Sequence, residues 1–380
     1  MTTDNLAEFQ NSISLADLPA NFRDAIKITR RLQIPYLWID SLCIIQNSRD
    51  DWEAESKKMC SIYRDACVMI SADAASRSTD GILGHNLPGN PNRTTVALNL
   101  SDDINDGVIS ILKKQDCPQS FGELVLKSPL GRRGWTLQEG LLSRRVLHYG
   151  FNQIYWQCLQ GLQSADGVPT GLELPEDERY PELAKLTHSA DSLILQNYDL
   201  KNILEEYYRI VTAYTQRHLS FESDKLPAFA GIAESFHSVF KEDYLAGIWV
   251  SDLHTGLLWY GENGSCRPVE TYRAPSWSWA VTDEPVLFGT TKIEGFEDIF
   301  EADFLYCEMD IQGINRYGQI RSSTLVMEGL TKQLVRSSQL AALTSIDDDE
   351  WKYRLGNIDW DDGDYGGIYS IQGSEGSFLL

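Results

Sequence analysis

The sequence is poor in positive charge. Across 380 residues, 33 lysines and arginines face 55 aspartates and glutamates, for a net charge of −22. Broad binding to a phosphate backbone needs basic stripes. Nucleic acid and anionic membrane surfaces are therefore excluded as partners, and an anionic ligand has to be held by a local arginine cluster. Long apolar runs are missing too, since none approaches the ~20 residues of a membrane-spanning helix. The opening MTTDNLAEFQ is polar and acidic, with no signal- or transit-peptide pattern. Seven cysteines, odd in number and without paired spacing, read as reduced thiols in a cytoplasmic setting. Together with the six histidines they form no CxxC, HxH or HExxH pattern, so no metal site is expected. No repeat period is visible. The sequons at Asn92, Asn99 and Asn263 carry little weight without a secretion signal.

What is present is ample core-forming material, 42% apolar residues and ten tryptophans, in a chain long enough for two domains or one with a large appendage. The stretch from Pro35 to Ala72 reads as strand, polar turn, helix, strand. Tyr36–Ile39 is aromatic and branched and ends on Asp40. Asp50 is placed to cap a helix whose positions Met59, Ile62, Tyr63 and Ala66 recur at helical spacing. Cys67–Ile70 is then continuously apolar. Two apolar strands joined by a helical crossover predict a βαβ unit in a small parallel or mixed sheet with flanking helices. Polar groups at the carboxyl ends of such strands line the functional crevice, and Asp40 and Ser41 occupy one such end.

Residues 17–34 predict a preceding helix, capped by Asn21 or Asp17, with Arg30 and Arg31 in its last turn. Thr95–Leu100 and Val108–Leu112 read as short strands. In RRGWTLQEGLL, Arg132, Trp135, Glu139 and Leu142 fall on one helical face. Arg145–Tyr149 and Gln153–Cys158 follow as strands around a Gly150–Asn152 turn. The Gly-, Pro- and acid-rich run after residue 161 reads as a linker. Asn202–Leu219 and Ala228–Phe240 are amphipathic helices, and Gly247–Val250, Gly256–Tyr260, Ala274–Ala280 and Leu325–Gly329 are strand-like. The expected organisation is an α/β domain over 1–160, a linker and helical region over 161–240, and a β-rich region over 241–380.

Several of these segments fit one pattern. LPANFRDAIKITRRLQIPYLWIDSLCIIQ, MCSIYRDACVMISA and GRRGWTLQEGLLSRRVLHY closely resemble the fungal heterokaryon-incompatibility (HET) domain. FESDKLPAFAGIA, YLAGIWVSDLHTGLLWY and YRAPSWSWA are similar to segments that follow it in fungal HET proteins. The resemblance implies a role in allorecognition and programmed cell death, and a remote kinship with Toll/interleukin-receptor (TIR) domains, some of which cleave NAD at the nicotinamide–ribose bond. In those enzymes an essential glutamate follows a tryptophan on a helix, a placement shared by Trp135 and Glu139. HET domains usually open with a strand bearing a Ser-Tyr-x-Trp-Gly type sequence, and this sequence begins just after that point.

The chemistry these residues suggest is specific. Breaking a glycosidic carbon–nitrogen bond develops positive charge on the ribose, which a neighbouring carboxylate stabilises. Glu139 is the candidate for that role, with Asp40 as a second catalytic candidate that holds a ribose hydroxyl or orients a group. Trp135 is placed to stack on nicotinamide, Arg132 or Arg133 to grip pyrophosphate, and Ser41 to contact the ligand. NAD enters as substrate, and no cofactor is expected. The blander alternatives are that Arg132 and Glu139 are structural partners, Trp135 is core, and Asp40 is a turn acid fixing the loop through Gln46. Cys43 and Cys158 read as buried, inert thiols and His148 as a sheet residue. Trp277 and Trp279, two apart on an expected strand, read as a core or inter-domain pair. The acidic runs at 347–350 and 359–364 fail the EF-hand pattern, because position 5 is Gly363 and position 12 is Ser370. Three functional classes follow: a NAD-cleaving effector, a non-catalytic self-association or protein-interaction module, and an enzyme repurposed for fungal secondary metabolism with a small-molecule ligand.

Overall fold

The computed structural model describes residues 1–84, 95–102, 105–112, 120–166, 200–262, 267–288, 302–329, 334–336 and 343–345. The acidic runs at 347–350 and 359–364, the sequons at Asn92 and Asn263, and residues 167–199 lie outside this set. The fold is α/β, with a four-stranded mixed sheet and flanking helices followed by a β-rich C-terminal region. The chain divides into two units. One comprises Met1–Asp199 with Arg217–Leu219 and Ala228–Phe236; the other comprises Leu200–Gln216, Ser220–Pro227 and His237–Leu380.

In the first unit, α1 (Leu6–Asn11) and α2 (Ala20–Arg31) lead into the short α3 (Asp40–Cys43) and the long α4 (Arg49–Asp65). Strand β1 (Met69–Ser71) precedes the hairpin β2 (Thr95–Asp102) and β3 (Asn105–Leu112). Helices α5 (Phe121–Leu126) and α6 (Gly134–Leu142) then lead to β4 (Arg145–Tyr149), β5 (Ile154–Cys158) and β6 (Gly161–Ser164). The sheet order is β1-β4-β5-β6, with β1 parallel to β4 and the remaining pairs antiparallel. Alternation along β4 and β5 splits the core between two faces. Tyr149, Leu147 and Ile154 join Ala25 and Ile28 of α2 on one face. Tyr155 joins Phe121, Leu124 and Val125 of α5 on the other.

Local sequence explains most of these elements. The apolar stripe of α2 buries Ala25 and Ile28, and its last turn carries the expected Arg30 and Arg31. Its expected caps work elsewhere. Pro19 starts the helix, Asn21 accepts from the Gly81 amide at 2.8 Å, and buried Asp24 accepts from those of Ile82 and Leu83 at 2.9 and 3.1 Å. Ser48, rather than Asp50, caps α4 by accepting from the Asp51 amide.

The expected strand at Tyr36–Ile39 is unpaired. Ile39 is extended and Leu37 reaches the α2 core, but the backbone joins no ladder and turns at Asp40 into α3. The crossover therefore has one strand, not two. His148 is a sheet residue, buried on β4 with Nδ1 3.0 Å from Asp73 Oδ2 and Nε2 3.0 Å from Gln157 Oε1. Cys43 is exposed and Cys158 half-buried, so neither is the fully buried thiol expected.

In the second unit a helix, Leu200–Thr215, buries Leu204, Tyr207, Val211 and Tyr214, the expected inner face. The YLAGIW and PSWSWA segments interlock beside it. Tyr244–Leu245 pairs with Ile248–Trp249 around Ala246 and Gly247, both at positive φ. Such a two-residue turn favours glycine, and here the Trp279 ring occupies the space a Cβ would need, with Nε1 2.3 Å from its position. Trp279 Nε1 donates to the Gly247 carbonyl at 2.9 Å, and Ser278 Oγ donates to that of Ala246 at 2.5 Å. The expected strand at Ala274–Ala280 is instead a turn entering a 3₁₀ segment, Trp279–Val281. Trp279 is fully buried and Trp277 half-buried, so the two do not share one environment. Gly256–Tyr260 is likewise divided, between a short helix (Leu253–Leu257) and a strand (Trp259–Gly261) paired with Val286–Phe288. A long hairpin joins Ala302–Ile311 to Ile320–Gly329.

Candidate functional site

Helix α6 organises the site. Seven of its nine residues are buried, and the two that are not, Trp135 and Glu139, lie one turn apart on the same side. That side faces Trp52 and Tyr63 of α4. The start of α6 is clamped by the segment Arg217–Leu219, which runs parallel to Arg133. The Gly134 amide donates to the His218 carbonyl at 2.8 Å, and the His218 amide donates to that of Arg132 at 2.7 Å. A side chain at Gly134 would place its Cβ 2.5 Å from Leu219 Cδ2, so Leu219 would have to shift to admit one. The clamp carries Arg217 to the site, where Nη1 donates to Thr136 Oγ1 at 3.1 Å and to the Arg133 carbonyl at 3.4 Å.

Helix α4 supplies the opposite wall. Tyr63 donates its phenol hydrogen to the Glu139 carboxylate, and Trp38 packs edge-on against the Tyr63 ring at 5.8 Å. Trp52 meets Trp135 edge-on at 6.4 Å. At the other end of α6, Ser143 donates to the Glu139 carbonyl at 2.7 Å and secures the last turn. Gln138 is buried on the far side and accepts from the Gly231 amide at 3.1 Å.

The electrostatics distinguish Glu139 from a compensated structural ion pair. Burial, and next the negative charge of Asp40, push its carboxyl up to about 7. Arg133, the Tyr63 hydroxyl and Arg217 oppose that rise without cancelling it. As a residue Glu139 is half-buried. The same surroundings, burial first and then Glu139 and Asp40, hold the Tyr63 phenol well above its usual range, so it stays a donor.

Of the residues singled out from sequence, Asp40 and Arg133 lie within electrostatic reach of Glu139. Asp40 is exposed at the start of α3, where its carboxylate accepts from the Ser41 amide at 2.7 Å. Gln46 reaches the carbonyls of Ile44 and Asp40 rather than the Asp40 carboxylate. Ser41 Oγ is buried without a hydrogen-bond partner, an orphaned group beside Asp40 that a ligand would satisfy. Arg132 is exposed and joins the arrangement only through its carbonyl. Trp135 stands on the open side of α6, against Trp52.

Two members, Tyr63 and Arg217, were not singled out as site residues. Tyr63 was visible as the one polar-tipped residue in the apolar stripe of α4. Arg217 carries no local signal, since only the backbone pairing at Arg133 brings it in. The walls come from α3, α4 and α6, so the site belongs to the helical layer rather than to the ends of sheet strands. Among the described residues no cluster of metal-ligating side chains is present, and no helix is long and apolar enough to cross a membrane.

Residues 2–139 fit the family model described as Heterokaryon incompatibility protein (HET). The match ends at Glu139, so Arg217 lies beyond it. Searches of curated proteins and of solved structures return no match.

Proposed function

We propose that this chain, whose residues 2–139 fit the HET family model, is an effector of heterokaryon incompatibility and cell death that cleaves NAD, with Glu139 as the reacting carboxylate. The observation that carries the reading is the state of Glu139: a carboxyl taken out of water, acting against Asp40, hydrogen-bonded by Tyr63, and one turn from Trp135 on the side of α6 that is not fully buried.

The chemistry follows from that setting. The bond between ribose C1′ and the pyridinium nitrogen breaks, and its electron pair leaves with neutral nicotinamide. The cationic ribose that remains is stabilised by ionised Glu139. Water then adds to C1′, and its proton passes to Glu139, whose affinity near neutrality suits a general base. ADP-ribose and nicotinamide are the products. In this reading Asp40 and the orphaned Ser41 hydroxyl hold the ribose hydroxyls. Arg133 and Arg217 grip the pyrophosphate, and Trp135 stacks on the nicotinamide ring.

The test is release of nicotinamide from NAD by purified protein, with Glu139→Ala as control. Equal release by both proteins would remove Glu139 from the mechanism, and absence of release by the wild type would remove NAD cleavage. A second reading, non-catalytic self-association, is favoured by one observation: β1 is an edge strand of the four-stranded sheet among the described residues and offers a backbone edge to a partner strand. Size-exclusion chromatography over a concentration series distinguishes it, because a strand-added assembly grows with concentration.

A further inference from the structure

The second unit contains a pair of buried cations that the site around Glu139 does not use. Lys225, in the turn after the Leu200–Thr215 helix, is 3% exposed, and Arg273, which opens the APSWSWA segment, is 8% exposed. Arg273 Nε donates to the Ala280 carbonyl at 2.7 Å, and Nη1 contacts Asp283 Oδ1 at 2.7 Å and the Glu222 carbonyl at 3.4 Å. Its Nη2 is buried with no hydrogen-bond partner. Lys225 lies over the Tyr214 ring, 5.6 Å from its centre, and the Tyr214 hydroxyl donates to the Lys225 carbonyl at 2.6 Å. The charges acting on Lys225 are Arg273, which repels it, and Asp283, which attracts it. Asp283 itself has a side chain 59% exposed and reaches the guanidinium through one oxygen. Among the described residues, one solvated carboxylate thus faces two buried cations, in a chain of net charge −22. Buried cations normally come paired and fully hydrogen-bonded.

We propose that Lys225 and Arg273 form a binding site for the phosphoryl group of a small molecule, with Asp283 as the internal carboxylate that the ligand displaces. A phosphoryl group presents two oxygens to Nη1 and Nη2 at once, the bidentate arrangement a singly bonded carboxylate leaves half-used, and a third to Lys225. Because Asp283 is exposed, it can swing into solvent and vacate Nη1 without disturbing the core.

The test is calorimetric titration of inorganic phosphate into the full chain at constant ionic strength, with sulfate and acetate in parallel. Saturable phosphate binding at one site is expected, with sulfate weaker or equal and acetate weaker than both. Lys225→Met should weaken it by about tenfold or more. Asp283→Asn, once circular dichroism shows that it folds, should tighten it by removing the competitor. Arg217→Gln, which removes a phosphate-gripping candidate of the first unit, should leave it unchanged, which separates this site from that one. The proposal is overturned if neither wild type nor Asp283→Asn binds phosphate saturably, if acetate binds as well as phosphate, or if Asp283→Asn weakens binding.

Discussion

Glu139 in the first unit and Lys225 in the second are mirror images. Each is an ionisable group taken out of water beside a like charge, Asp40 in one case and Arg273 in the other, and each is pushed toward its neutral form. Burial pushes the Glu139 carboxyl from 4.5 up to about 7, and pushes the Lys225 ammonium from 10.5 down to about 8. The surroundings differ. Glu139 retains a hydroxyl donor, the charges of Arg133 and Arg217, and a half-buried place on its helix. Lys225 is enclosed over a tyrosine ring and shares a single exposed carboxylate with Arg273. The first arrangement suits a group that must exchange protons and meet a reacting atom; the second suits one that an arriving anion would stabilise in its charged form. Both oppose folding, which is the usual mark of residues kept for function rather than stability.

The largest expected effect that sharpens this contrast is on turnover. Glu139→Gln keeps the shape and removes the charge, so nicotinamide release should fall by about a thousandfold. Equal turnover would reduce Glu139 to a buried acid.

Stability should move the opposite way in the same variant. The folded carboxyl holds its proton up to about 7, whereas the unfolded one releases it near 4.5. Folding is therefore favoured below 4.5, and that advantage drains away as pH rises through 7. Urea unfolding should find Glu139→Gln more stable than wild type by about 3 kcal/mol at pH 8, and little different at pH 4. Lys225 carries the reverse sign: its burden is present below about 8 and lifts as pH climbs toward 10.5. A stability curve flat over both ranges would erase the comparison.

A smaller effect concerns the frame around the cation pair. Gly247→Ala adds a Cβ 2.3 Å from Trp279 Nε1 at a φ of +104°, and should cost about 2–3 kcal/mol in urea unfolding. A cost near zero would mean that the Tyr244–Trp249 turn and the Trp279 ring are not interlocked. The smallest effect is expected from Tyr63→Phe. The hydroxyl lowers the Glu139 pKa, so its loss should move the acidic limb of the activity profile to higher pH without abolishing turnover.

Local patterns in the sequence carried the helices and the β4–β5 hairpin, because amphipathic spacing and a Gly-Phe-Asn turn act within a few residues of themselves. Glu139 and Trp135 were legible for the same reason, as two residues one turn apart on α6. The strand expected at Tyr36–Ile39 failed because a strand exists only through its partner, and apolar alternation cannot report whether one is adjacent. Ala274–Ala280 failed for a different reason. Ser278 turns its hydroxyl to the Ala280 amide and the Ala246 carbonyl, diverting the backbone from a ladder. Arg217 was invisible because its place depends on pairing with Arg133, far away in sequence, and on the space left at Gly134.

The most direct test of the account is the pH dependence of nicotinamide release by the wild-type protein from pH 5 to pH 9. If ionised Glu139 is the reacting group, the rate should rise tenfold per unit at low pH and level off above about 7. A rate that is flat across the range, or that levels off near 4.5 as for an ordinary glutamate, would contradict it.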